Sequence, residues 1–94
     1  MLFAFTSKDK PDGLQLRIDT RPAHVAFLEK LNAEGTLKFA GPFLDDSGQR
    51  FGTGMIIFRC ATRAEAEKIA NSEPYIAHGV RRLKLLPWQK VAGR

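Results

Sequence analysis

His24 is the residue whose position most plainly suits chemistry. His24, Phe27, Leu28 and Leu31 stand at i, i+3, i+4 and i+7, the spacing of one buried stripe on a helix. The titratable ring leads that stripe. With Asp19 or Thr20 as the cap and Pro22 in the first turn, His24 falls in the first turn as well. The positive end of the helix dipole there disfavours the charged ring, which makes His24 a candidate general base near neutral pH. Position alone leaves open the alternative of a core histidine satisfied by a backbone carbonyl or a carboxylate.

The other groups with chemical potential are fewer. Asp45 and Asp46 precede Ser47-Gly48, which is ordinary turn chemistry. Two adjacent carboxylates without more histidine or cysteine make a poor metal site, so no metal is expected. Tyr75 either lines a cleft with its hydroxyl or anchors the turn after a helix. Gly41-Pro42 holds the backbone at a strand end, and its freed amide or carbonyl groups could touch a ligand. Ser7 and Ser47 lack a nucleophile-elbow context. Gly52-Thr53-Gly54 is too short for a phosphate loop and lacks the following helix and lysine, so no nucleotide cofactor is expected. Cys60 closes an apolar strand and reads as a buried, inert thiol. His78, in a turn beside Gly79, reads as solvated.

The elements that must position these groups follow from composition and pattern. The chain has 94 residues, 44% of them hydrophobic, and reads as one globular domain over 1–94. No apolar run approaches the roughly 20 residues that cross a bilayer. The start Met-Leu-Phe-Ala-Phe is followed by Lys8, Asp9 and Lys10 and reads as a strand, not a signal peptide. A single cysteine cannot form an internal disulfide, which suits a cytoplasmic location. The net charge of +5 is scattered, with a modest cluster at Arg81, Arg82 and Lys84. It reads as a solvated surface, and next as one that attracts anionic small molecules; neither nucleic acid nor membrane is an expected partner.

Residues 2–6 read as a first strand and 7–13 as a loop. Residues 14–20 are ambiguous, because Leu14, Leu16 and Ile18 alternate over a piece short enough to be a lead-in turn. The first helix then runs to about Glu34, with Gly35 as its left-handed stop. Residues 36–40 form a second strand, ended or bent by Gly41-Pro42, and 44–54 a loop or long hairpin. Residues 55–60 form a third strand. Thr62-Arg63-Ala64-Glu65 is a capping box opening a second helix, which Asn71-Ser72-Glu73-Pro74 stops. Residues 75–79 are a turn or a single helical turn, and 80–88 a fourth strand with Pro87 at its edge or end. The fold class is α+β, a ferredoxin-like split βαβ protomer with a four-stranded antiparallel sheet.

Two helices cover only one face of such a sheet. Yet Leu2 and Ala4 oppose Phe3 and Phe5 on the first strand, and Met55 and Ile57 oppose Ile56 and Phe58 on the third. An apolar second face left wet forgoes several kcal/mol at roughly 25 cal/mol per Å2. The expected remedy is a homodimer packed sheet to sheet. A pocket between sheet and helices, or between subunits, is then the natural ligand site.

The chain resembles the YciI-like family (YCII-related domain) of the dimeric α/β barrel superfamily. The resemblance rests on Met1-Leu2-Phe3, Asp9-Lys10, Arg17, Arg21-Pro22-Ala23-His24, Gly35 with Leu37, Ala40-Gly41-Pro42, the Phe51 to Gly54 turn, Glu73-Pro74-Tyr75, Gly79-Val80 and Pro87. The family pattern favours aspartate before the Pro-Tyr pair, where this chain has Glu73. The resemblance implies a dimeric α/β barrel and a cleft holding a catalytic His–Asp pair. The histidine carries over to His24. The aspartate carries over best to Asp9, with Asp45 and Asp46 as competing positions. An aspartate accepting from one ring nitrogen would leave the other as base.

Two functions are open on this reading. One is a cofactor-free enzyme of isomerase or lyase type, in which His24 and Asp9 shuttle a proton on a small anionic ring or enol-type substrate. Arg17 and Arg21 would bind its carboxylate, with Gly41, Pro42, Asp45 and Tyr75 as further substrate contacts. The other is a non-catalytic small-molecule-binding or accessory dimeric module, in which His24 only hydrogen-bonds the ligand.

Overall fold

The computed structural model describes residues 1–93. The chain runs β1 (Leu2–Asp9), α1 (Leu14–Ala33), β2 (Leu37–Leu44), β3 (Arg50–Arg59), α2 (Arg63–Ser72), α3 (Pro74–Ala77) and β4 (Arg81–Trp88). The four strands form one sheet in the order β2-β3-β1-β4, with every neighbouring pair antiparallel. This is the expected ferredoxin-like plan. Among the described residues no helix is long and apolar enough to cross a membrane.

Alternation along β1 decides the two faces. Phe3 and Phe5 are buried against the helices, and their register partners Phe58 and Ile56 on β3 point the same way. With Leu85, Ala66 and Ala70 they form the core. Ala66 and Ala70 are one helical turn apart, and their small size lets α2 lie close on the sheet. Phe3 and Phe58 stack at 6.1 Å between centroids. On the other face Leu86, Ala4, Ile57 and Phe39 lie in one row across all four strands. There Phe39 is 61% exposed and Leu86 51%. The apolar open face expected from the pattern is present.

Three local expectations are corrected. First, α1 begins at Leu14 behind Gly13, with no side-chain cap, so the alternating 14–20 stretch is helix. Thr20 is buried mid-helix, and the Asp19 carboxylate accepts from Gln15 one turn earlier at 2.9 Å. His24 therefore lies well inside a 20-residue helix, where the dipole of its first turn does not act. Pro22 also sits inside the helix, where it removes the bond to the Ile18 carbonyl. Second, β2 does not end at Gly41-Pro42, which pair with Met55 and Gly54. Proline fits there because β2 is an edge strand with one free side. Third, β3 starts at Arg50, so the connection shrinks to a hairpin turn. Asp45 holds that turn: its Oδ1 accepts from the Ser47 amide, the Ser47 hydroxyl and the Gln49 amide at 2.9, 2.7 and 3.0 Å.

The α2 cap makes one bond of the expected box and shifts the other by one residue, to the amide before the cap. Thr62 accepts from the Glu65 amide at 3.2 Å, while the Glu65 carboxylate reaches back to the Ala61 amide at 3.2 Å. Cys60 is half-buried; its Sγ donates to the Thr62 carbonyl at 3.4 Å, and burial pushes its thiol above the ordinary value.

Gly52 on β3 has φ +75, and a Cβ there would stand 2.4 Å from Asp9 Oδ2. Gly35 has φ +76 with open space around it. Both positions strain an L-residue, at about 1–3 kcal/mol each. Gly52→Ala is expected to lose clearly more stability than Gly35→Ala in denaturant titration, because it must also displace Asp9. Equal losses would show that Asp9 does not need the space.

Candidate active-site cleft

A cleft of about 390 Å3 opens between α1, α3 and the end of the sheet where β1 finishes and β4 begins. Successive turns of α1 supply one wall through Arg17, Ile18, Arg21, His24, Val25 and Leu28. β1 supplies Phe5 and Ser7, β2 supplies Ala40 to Pro42, β3 supplies residues from Arg50 to Ile56, and α3 and β4 bring Tyr75 and Arg81.

His24 Nδ1 lies 2.5 Å from Oε1 of Glu73, and the Glu73 side chain is only 1% exposed. Glu73 is placed by its backbone. It separates α2 from α3 in an extended conformation, φ −62 and ψ 127, as the residue before a proline must. Its second oxygen, Oε2, accepts from the Tyr75 amide at 3.0 Å and so caps α3. The carboxylate is therefore engaged at both oxygens, with His24 on the cleft side. A carboxylate at Nδ1 favours the tautomer whose Nδ1–H donates to it and whose Nε2 keeps its lone pair.

The Tyr75 ring stacks on His24 with centroids 4.2 Å apart and planes at 20°. The Arg81 guanidinium lies 4.4 Å from the Tyr75 centroid. Arg81 Nε donates to Asp9 Oδ1 at 2.7 Å, and its Nη1 to the Ser7 hydroxyl at 3.3 Å. Arg17 Nε approaches the other Asp9 oxygen at 3.1 Å, but its N–H does not point along that line, so this buried nitrogen has ionic contact without a hydrogen bond. Asp9, which does not itself line the cleft, thus clamps two arginines that do.

The structure gathers His24, Arg17, Arg21, Gly41, Pro42 and Tyr75 around one cleft, as the sequence reading grouped them. It does not bring Asp9 to His24: the carboxylate at the ring is Glu73, and both Asp9 oxygens face arginines. Asp45 does not line the cleft; three hydrogen bonds within its turn, the Ser47 hydroxyl's foremost, hold its carboxyl below the ordinary value. Asp46 is exposed in the same turn and also does not line it. Sequence reasoning missed Glu73, Arg50 and Arg81. The one available signal was the acid before Pro-Tyr, read as a helix stop. Among the described residues no three His, Cys, Asp or Glu side chains gather as metal ligands.

Burial raises the Tyr75 phenol above its ordinary 10.0, opposed by the Arg81 cation and aided by the Glu73 charge. A raised folded-state value means that the neutral phenol favours the fold. That contribution is complete below about pH 10 and is lost as pH climbs through the folded value. Tyr75 is the single tyrosine, so phenolate absorbance reports it alone. Its transition is expected above that of the denatured chain, and Tyr75→Phe is expected to flatten the alkaline loss of stability. A native transition at or below the denatured one would contradict the packing described.

The model of the YCII-related domain matches residues 1–89. Protein YciI of Escherichia coli O6:H1 (strain CFT073) is 36% identical over 97 aligned residues, covering 97% of this chain and 99% of that protein. Protein YciI of Shigella flexneri matches equally. The uncharacterised protein YjpA of Bacillus subtilis (strain 168) is 33% identical over 66 residues, 70% of this chain and 72% of its own. The structure of 5-chloro-2-hydroxyhydroquinone dehydrochlorinase (TftG) from Burkholderia phenoliruptrix AC1100, in complex with 2,5-dihydroxybenzoquinone, superposes with a TM-score of 0.83 at 28% identity, covering 95% of this chain and 94% of that one. An antibiotic biosynthesis monooxygenase, at 18% identity and a TM-score of 0.55 over 98% of this chain and 100% of its own, shares the fold alone. The match spans nearly the whole chain, and the chain belongs to the YCII-related domain family.

Proposed function

We propose that this protein is a small enzyme in which His24, oriented by Glu73, moves a proton on a small anionic ring or enol-type substrate without a cofactor. The observation that carries the reading is the 2.5 Å contact between His24 Nδ1 and a carboxylate that is 1% exposed, on the wall of an open cleft. Nε2 would take a proton from a ring or enol position. The imidazolium so formed would be stabilised by the Glu73 carboxylate, and the proton then returned to another atom of the substrate or to the leaving group. The likeness to a dehydrochlorinase, which by its name handles a chlorinated hydroxyhydroquinone, supports a ring substrate. The dyad is His–Glu in place of the His–Asp pair that the family resemblance implies.

Wild-type protein is expected to accelerate chloride release from 5-chloro-2-hydroxyhydroquinone, or ring-proton exchange in hydroxylated quinones, followed by NMR. His24→Asn is expected to lose about 10²–10⁴-fold of that rate. A His24→Asn protein as active as wild type would contradict the assignment. A wild type that binds these rings and turns none over would favour the non-catalytic module.

The same reading includes a homodimer. The row Leu86, Ala4, Ile57 and Phe39 offers a second copy an apolar face, with Trp88 also 42% exposed. Sedimentation is expected to give the mass of two chains, and Phe39→Asp that of one. A wild-type monomer would contradict it.

A further inference from the structure

We propose that Arg21 and Arg50 form an anion subsite at the rim of the cleft, and that its ligand is a monocyclic carboxylate. This deepens the reading above, since it takes the same cleft as the substrate site. Four guanidinium groups line the cleft: Arg17, Arg21, Arg50 and Arg81. Among the described residues, the carboxylates that meet these groups or line the cleft are Asp9 and Glu73. Asp9 holds Arg17 and Arg81, and Glu73 is occupied by His24 and the Tyr75 amide. Among the described residues, Arg21 and Arg50 have no carboxylate partner. Four cations against two anions leave an excess of two positive charges, and it sits on these two side chains. Arg17, expected from the sequence to bind the substrate, is instead tied to Asp9.

The placement of the pair says what it would hold. Arg21 precedes His24 by three residues on α1, so an anion at Arg21 lies beside the imidazole. Arg50 comes from the start of β3, so the two arginines enter the cleft from different elements. A planar carboxylate suits guanidinium forks better than it suits an ammonium. The rest of the lining is largely apolar, through Phe5, Val25, Leu28, Met55, Ile56 and the exposed Ile18. At about 390 Å3 the space is near the small end of ligand pockets and fits one ring. Carboxylate at the rim and ring against this wall would present ring atoms to His24 Nε2.

Benzoate and its neutral counterpart benzamide separate charge from shape. Calorimetric titration of wild type is expected to show benzoate bound about tenfold or more tighter than benzamide, with the gap closing as salt is raised. Arg21→Gln and Arg50→Gln are each expected to weaken benzoate by about tenfold and leave benzamide unchanged. Both side chains are exposed, so the fold should survive either change. His24→Asn is expected to keep benzoate binding, so loss of turnover there is read separately from loss of the subsite. Equal affinity for benzoate and benzamide, or arginine variants that bind benzoate as wild type does, would overturn the proposal.

Discussion

The buried carboxylate of Glu73 is the constraint on which the site depends. Removing a carboxylate from water is costly unless its oxygens are engaged. Here one oxygen meets His24 of α1 and the other accepts the amide that starts α3, while the Glu73 backbone ends α2 by donating to the Ala70 carbonyl. One residue therefore ties three helices together, two through its side chain and one through its backbone. The imidazole is the member of this junction that also faces the cleft, so a structural obligation and a chemical orientation share the same atoms. Replacing either partner would leave a buried polar group unmatched, which costs more than the contact contributes.

From that junction the contacts run without a gap to the sheet. Tyr75 follows Glu73 by two residues and lays its ring against His24. Arg81 covers the ring and is itself anchored by Asp9 and Ser7 on β1. Gly52 leaves the space in which the Asp9 carboxylate sits. The histidine is thus located by packing on one side and by a charged hydrogen bond on the other, and the arginines behind it are neutralised from outside the cleft. Arg21 and Arg50, which also line it, are exposed and have no carboxylate partner among the described residues.

Parts of this were legible in the sequence because they are local. The α2 cap is a matter of a few neighbouring residues and their own amides, and it opens the helix where the pattern places it. The strand order follows from two similar βαβ halves. The start of α1 was not legible: Leu14, Leu16 and Ile18 alternate like a strand, and they stay exposed at 58%, 43% and 55%, so no buried stripe marks the first turns. Gly41-Pro42 reads as a strand end unless one knows that β2 is at the edge, which is a property of the sheet. The stripe singles out His24, which does line the cleft, although the dipole argument attached to it fails. Its partner was not legible. Glu73 precedes a proline and looks like punctuation, and its burial between helices is a tertiary fact. Arg50 lay in what reads as a loop until pairing with β2 makes it the first residue of β3.

On the proposed reading, Glu73 fixes the His24 ring with its proton on Nδ1 and its lone pair on Nε2. Nitrogen-15 NMR of the imidazoles tests it directly, with the exposed His78 as the internal reference. Neutral His24 in the wild type is expected to be the Nδ1–H tautomer, with a hydrogen-bonded Nδ1 proton, and Glu73→Gln is expected to disturb both. A neutral His24 carrying its proton on Nε2, indifferent to Glu73→Gln, would contradict it.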